Sequence, residues 1–229
     1  MLDQIYSYRE MCDIEKVQTL QRGMNFRLNP QYSLILMSRR SNAPYNDKIL
    51  KDGITIEYEG HDELKSLYKM DPKELDQPYQ TKNGALTQNG KFIEAIMRYK
   101  KGISGVEPVK VYEKILSGVW SLKGFFDLLD YQIKYDGKRK VYIFSLRLSN
   151  KQDIKKSSHI DLIHTRLIPS KIKKEVWKRD NGKCVICGSI KNLHFDHDLP
   201  FSKGGTSLTV KNIRILCEKC NLAKSDKIE

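Results

Sequence analysis

Two Cys-x-x-Cys pairs, Cys184/Cys187 and Cys217/Cys220, limit what the last quarter of this chain can become. Two intervening residues form a tight turn that aims both thiols of a pair inward, and two such turns complete a tetrahedral sulfur set. A closed four-thiolate site leaves no position for water, so zinc there would be structural, and the small segment around it would fold with its metal. The run enclosed between the pairs, Leu193-His-Phe-Asp-His-Asp-Leu-Pro200, places a carboxylate and an imidazole side by side at Asp196-His197. A hard oxygen ligand next to a group titrating near neutrality suits hydrolysis of a phosphodiester.

Charge points the same way. The net charge is +13. Residues 150–229 hold 17 Lys/Arg against 9 Asp/Glu, and residues 1–149 hold 24 against 19. A shorter piece with the larger positive excess is what a polyanion-binding module needs, although charge alone does not separate DNA, RNA and anionic lipid. No stretch approaches the roughly 20 apolar residues of a membrane span. The first residues lack a charged region followed by an apolar one, so a cytoplasmic, reducing compartment of a prokaryotic cell is expected. There, paired cysteines favour metal over disulfides. Cys12 stands apart and reads as a buried or bystander thiol rather than a nucleophile.

The pattern along the chain predicts an α+β protein. Residues 1–20 carry Ile5, Tyr8, Met11, Cys12, Val17 and Leu20 at loose helical spacing. Ser33–Ser38, Ile54–Tyr58 and Val109–Tyr112 read as strands, and Phe125–Tyr135 with Val141–Leu148 as a hairpin around Asp136-Gly137. One amphipathic helix fits Lys91–Lys100, with Phe92, Ile96 and Tyr99 on one face and Gly102 as its stop. Many strands with one clear helix predict a curved sheet or open barrel. Residues 151–166 are polar and unpatterned, which predicts a linker. After Pro169, a basic helix over Lys171–Asp180 turns Ile172 and Val176 inward, with Trp177 beside them.

From Ile168 to Ile228 the motif order resembles an HNH endonuclease of the four-cysteine kind. The matching phrases are Asp196-His197, Lys203-Gly204-Gly205, Asn212-Ile-Arg-Ile-Leu, Cys217-x-x-Cys220-Asn221 and Lys224. The resemblance implies a ββα-metal finger. In it His197 is the general base that deprotonates the attacking water. Asp196 and Asn221 are ligands of a catalytic Mg²⁺ or Mn²⁺, and Asn212 fixes the hairpin loop that aims His197. Lys224 and Arg214 become phosphate contacts. His194 and Asp198 are bystanders by motif order.

Residues 21–150 resemble the SRA (SET- and RING-associated) domain, which flips modified cytosine out of DNA. The resemblance is carried by Ala43-Pro-Tyr45-Asn-Asp47, Gly53-Ile-Thr-Ile-Glu-Tyr58-Glu-Gly60, Asp76-Gln77 leading to Asn83–Asn89, Val109–Tyr112 and Gly124–Tyr131. It implies that Tyr45 and Tyr58 sandwich a flipped base, that Asp47 accepts from the cytosine amino group, and that the backbone around Glu59 adds edge contacts. Arg39 and Arg40 precede the pocket as phosphate contacts. The literal Tyr135-Asp136-Gly137 string, though it copies an SRA signature, reads as a hairpin turn.

The expected architecture is therefore an N-terminal helical segment (1–20), an SRA-like unit (21–150), a linker (151–166) and an HNH unit (167–229). The expected activity is cleavage of double-stranded DNA near 5-methyl- or 5-hydroxymethylcytosine. One such site cuts one strand, so a double-strand break implies two copies, a homodimer. A nuclease indifferent to modification and a reader without catalysis are the competing readings.

Overall fold

The computed structural model describes residues 3–41, 43–62, 71–149, 167–199 and 205–224; the expected linker at 151–166 and Lys203-Gly204 lie outside the described residues. The fold is mixed α+β. The strands are β1 (Ile5–Ser7), β2 (Met24–Asn29), β3 (Tyr32–Met37), β4 (Lys48–Ile49), β5 (Thr55–Glu59), β6 (Glu107–Leu116), β7 (Val119–Tyr135) and β8 (Lys140–Leu148). They form one sheet in the order β2-β3-β6-β7-β8-β5-β4, with β1 pairing separately onto β7. Only β3 and β6 among these pairs run parallel; the rest are antiparallel.

Both faces of this sheet are covered, which explains the unbroken apolar run in β3. Leu34 packs with Met11, Cys12, Tyr112, Trp120 and Leu122 on one side. Its neighbour Ile35 packs with Val109, Phe126, Phe144 and the helix α2 (Gln88–Lys100) on the other. Successive side chains point to opposite faces, so only a strand buried on both sides tolerates such a run. Cys12 is a core thiol.

The chain does not open with an uninterrupted helix. It enters as β1 and only then turns into the helix α1 (Tyr8–Ile14), where Ser7 and Glu10 form a reciprocal capping box. The helix α2 begins at Gln88, three residues before its expected start, because the Thr87 side chain accepts from Gly90 N–H. Its buried face is Phe92, Ile93 and Ile96, whereas Tyr99 is exposed. The β7–β8 hairpin closes at Asp136-Gly137 as expected, with Asp136 N–H donating to Arg139 C=O. The strand β7 also extends back to Val119, through a second hairpin turned at Ser117-Gly118. That two-residue loop, with Gly118 at φ +74°, was legible as a turn signal but was not read as one.

The second core lies near the C-terminus. The helix α3 (Ser170–Arg179), the antiparallel strands β9 (Leu193–His197) and β10 (Ile213–Cys217), and the helix α4 (Glu218–Lys224) enclose Val176, Phe195, Ile213, Ile215 and Leu216. Ile172 and Trp177 pack against its margin. Ile5 of β1 joins this core too, although β1 pairs with the large sheet. No helix among the described residues is long and apolar enough to cross a membrane.

Candidate nuclease and base-pocket sites

The four cysteines meet as their spacing predicts. Their Sγ atoms all lie within 4.8 Å of one another. Gly188 N–H donates to Cys184 C=O at 2.8 Å and closes the first knuckle, with Gly188 at φ +72°. The second pair joins the end of β10 to α4. Four soft donors at this separation fit tetrahedral zinc.

This cluster clamps one end of the β9–β10 ribbon, and the other end carries the chemistry. Asp196 faces Arg214 across the ribbon and His197 faces Ile213. Beyond His197, Asn212 staples the connecting loop. Its side-chain oxygen accepts from Leu199 N–H at 2.8 Å, and its Nδ2 donates to the carbonyls of Leu199 at 3.2 Å and Thr206 at 2.9 Å. Gly205 passes so close to this staple that a Cβ there would run into the Leu199 carbonyl. Asn212 thus sits where a loop-fixing residue is needed. His197 Nε2 lies 2.8 Å from Ser207 Oγ, and both residues are buried. Ser207 had no motif to announce it.

The expected cations are unequally placed. Lys224, expected at a phosphate, is buried: its ammonium contacts Asp196 Oδ2 at 2.6 Å and also the His197 carbonyl. A cation therefore already sits against the carboxylate assigned to metal, a sign that this corner attracts positive charge. Asn221 lies on α4 three residues before Lys224, and a carboxylate and an amide oxygen are donor types that a hard divalent ion takes. Arg214 pairs with Asp198 at 3.1 Å, and Arg39 pairs with Glu113 at 3.2 Å and contacts Ser170. Arg40 is exposed, its guanidinium on Ser38 Oγ at 3.2 Å.

The second constellation lies at the end of β5. A cavity of about 510 Å³ is lined by Gly23, Ser38, Tyr45, Asp47, Tyr58 and Trp120, among others. That volume suits a small organic ligand, and a pyrimidine fills only part of it. Asp47 is buried and accepts two backbone N–H groups, Ser38 at 3.0 Å and Glu59 at 3.2 Å. Desolvation nevertheless dominates and raises its carboxyl to about 7. Glu59 returns the brace by accepting from Asn46 N–H at 2.8 Å.

Residues from distant phrases fix this strand end. Gln77 Nε2 donates to Gly60 C=O at 2.7 Å, and Asn89 bonds both the N–H and the carbonyl of His61 at 2.8 Å. Arg139, fully buried, ties Asp62 at 2.6 Å to the carbonyls of Pro72 and Leu75. The Asp76-Gln77 and Asn83–Asn89 phrases thus serve to shape the pocket rim.

Tyr45 and Tyr58 both line the cavity. Tyr58 is fully buried, and burial raises its hydroxyl well above the ordinary value. That hydroxyl points at Gly23, where an added Cβ would lie 2.8 Å away. Tyr45 stacks on His61 with ring centroids 5.9 Å apart and planes 18° apart, and the Lys73 ammonium lies 4.0 Å from its ring. Burial lowers His61 to about 4, so it is neutral at physiological pH. His61, Lys73 and Gly23 were missed, because no local pattern in the sequence marks them.

Residues 184–227 match the HNH endonuclease family, so this part of the chain is an endonuclease domain. Similar solved structures include an SUVH5 SRA domain in complex with methylated CHH DNA, at 17% identity, 66% of this chain, 90% of that chain and a TM-score of 0.46. Another is Arabidopsis thaliana SUVH6 in complex with SAM, at 17% identity, 76% of this chain, 28% of that chain and a TM-score of 0.45. The modification-dependent TagI restriction endonuclease is similar at 16% identity over 99% of this chain and 77% of that one, with a TM-score of 0.40. No curated protein matches the sequence.

Proposed function

We propose that this chain is a modification-dependent DNA endonuclease in which residues 21–150 hold a modified cytosine and residues 167–229 cut nearby. The observation that carries the reading is the pairing, in one basic chain, of an HNH endonuclease segment with a buried carboxylate lining a cavity with room for a base. A flipped base costs a few kcal/mol, which stacking and edge hydrogen bonds recover. Tyr45 and Tyr58 supply the aromatic surfaces, Asp47 the acceptor for an exocyclic amine, and the backbone at Glu59 a further edge contact. Thymine offers a carbonyl where cytosine offers an amine, so Asp47 disfavours it. A 5-methyl or 5-hydroxymethyl group in a fitted cavity adds about 1–3 kcal/mol of discrimination.

At the other site His197 takes the proton of the attacking water, held in place by the Asn212 staple and by Ser207. Asp196 and Asn221 would hold one Mg²⁺ or Mn²⁺, which when bound supplies charge stabilisation at the scissile phosphate. Lys224, which already contacts Asp196, would share that carboxylate with such an ion and add a positive charge beside the scissile phosphate. Arg39, Arg40 and Arg214 are the other cations near the duplex. The four cysteines hold structural zinc. Each copy cuts one strand, so a double-strand break takes two copies.

The test is digestion of one duplex prepared with cytosine, 5-methylcytosine or 5-hydroxymethylcytosine, by the wild type and by His197→Ala. Cleavage confined to modified DNA, lost by about 10²- to 10⁴-fold in the variant while binding persists, is expected. Equal cutting of all three duplexes identifies a nuclease indifferent to modification, and intact DNA at every Mg²⁺ and Mn²⁺ concentration identifies a reader.

A further inference from the structure

Buried contacts tie the two functional regions together. Lys173 of α3 is fully buried, its ammonium 5.6 Å from the centre of the Phe195 ring of β9. Its ammonium contacts Asp3 and donates to Ser121 Oγ of β7 at 2.8 Å. Asp3 is itself held in both sheets: its N–H donates to Leu122 C=O at 2.9 Å, and its carbonyl accepts from Phe195 N–H of β9 at 3.2 Å. Gln4 bridges to His194, and its carbonyl accepts from Leu122 N–H at 2.9 Å. Ile5 then inserts into the nuclease core beside Val119.

A second buried cluster flanks this seam. Glu113 of β6, wholly buried, takes Lys123 Nζ at 2.8 Å, Arg39 Nε at 3.2 Å and the Ser170 hydroxyl at the start of α3. Arg39 directly follows Ser38, whose N–H caps Asp47 in the cavity. From Asp47 the path runs through a hydrogen bond to Ser38, one peptide step to Arg39, and then an ion pair to Glu113 and a hydrogen bond to Ser170.

We infer that Lys173 and Asp3 lock the nuclease onto the base-binding sheet, so that the distance from the recognised cytosine to the cut is built into the fold. Lys173 is a positioning residue for that distance. The inference rests on the function proposed above. Tethered units without a substantial interface move relative to one another by default, and a flexible tether would scatter the cuts. Here a buried pair bridges the units, and removing one partner leaves an uncompensated buried charge that drives the surfaces apart.

The experiment uses the full-length protein and a long duplex carrying a single 5-methylcytosine, with the ends sequenced, for the wild type and Lys173→Met. The wild type is expected to cut one dominant phosphate on each strand. The variant should lose more than half of that dominant share to positions spread over about one helical turn, roughly 10 base pairs. Its zinc content and affinity for modified DNA should stay at wild-type levels. A loss of stability alone lowers the yield of cuts without scattering them. A broad window in the wild type overturns the inference, whatever the variant does, and so does one sharp position retained by a folded variant. Small-angle scattering of the free proteins reads the docking without substrate, with a larger radius of gyration expected for Lys173→Met. Equal cutting of unmodified DNA with docking intact would fail the functional reading and leave the lock standing.

Discussion

The nuclease ribbon and the base cavity solve the same problem, rigid placement of a few polar groups, by opposite means. Every residue of the ribbon site lies between Cys184 and Lys224, and the strand pairing Asp196↔Arg214 is closed by one loop. Four thiolates replace much of the apolar core that so short a segment lacks. The cavity gathers Gly23, Ser38, Tyr45, Asp47 and Tyr58 at the end of β5, with Gln77, Asn89 and Arg139 arriving from much later in the chain to brace that strand end. A metal-organised site is thus written locally, whereas a cavity is written in the register of a whole sheet.

The comparison breaks or holds most visibly when the thiolates are removed. Cys217→Ser takes one ligand from a site whose metal is worth about 10–16 kcal/mol in small zinc modules, comparable with the whole stability of a domain at about 5–15 kcal/mol. Cleavage should fall below detection and zinc content to near zero, while binding of modified DNA survives. Binding lost together with cleavage would mean that the two regions unfold as one, and the comparison would fail. A smaller effect is expected in the cavity. Gly23→Ala sets a Cβ 2.8 Å from the Tyr58 hydroxyl and 3.3 Å from His61 Nε2, and the buried tyrosine has no room to retreat. Overpacking of this kind costs about 1–3 kcal/mol and is relieved by moving Tyr58 in the cavity wall, so preference for modified over plain DNA should drop several-fold with zinc content unchanged. Competition binding with the two duplexes measures it, and an unchanged ratio removes Tyr58 from the pocket.

What the sequence disclosed follows the same division. Cys184, Cys187, Asp196, His197, Asn212, Cys217 and Cys220 fall at fixed spacings because short turns and one hairpin join them, so their arrangement could be read before any fold was known. Ser207 escaped, since a serine in a loop has no signature until the imidazole is found beside it. The apolar run of β3 and the alternation in β5 and β8 identified strands, but nothing in them specified the parallel pairing of β3 with β6 or the contact of Ser38 with Asp47. Lys173 was the hardest to foresee. A lysine on a basic helix reads as solvated, and only the folded chain shows that Asp3, 170 residues earlier, waits for it. Lys224 hid its second contact in the same way, because a lysine beside a nuclease motif suggests a phosphate and gives no hint of the internal carboxylate that it meets.

The smallest effect expected concerns protons, and it sharpens the comparison from the cavity side. Asp47 is raised from 3.8 to about 7, chiefly by desolvation, with Glu59 and Glu113 adding repulsion. Between pH 4 and 7 the folded chain therefore keeps a proton that the unfolded chain has lost. Stability from this group is full below pH 4 and declines as pH rises through 7. His61 works against it. Its value falls from 6.5 to about 4, so the unfolded chain binds the extra proton and stability rises over nearly the same window. Glu113, held at about 2 by Lys123, Arg39 and Lys173 despite its burial, acts below pH 4.5, where its contribution is lost as pH falls. The net slope between pH 4 and 7 is thus a difference of opposing parts, and Asp47→Asn isolates one of them. Urea unfolding across that range should show the variant gaining stability with pH more steeply than the wild type, because the opposing Asp47 part is gone. Parallel curves for the two proteins would place Asp47 in contact with solvent and out of the cavity wall.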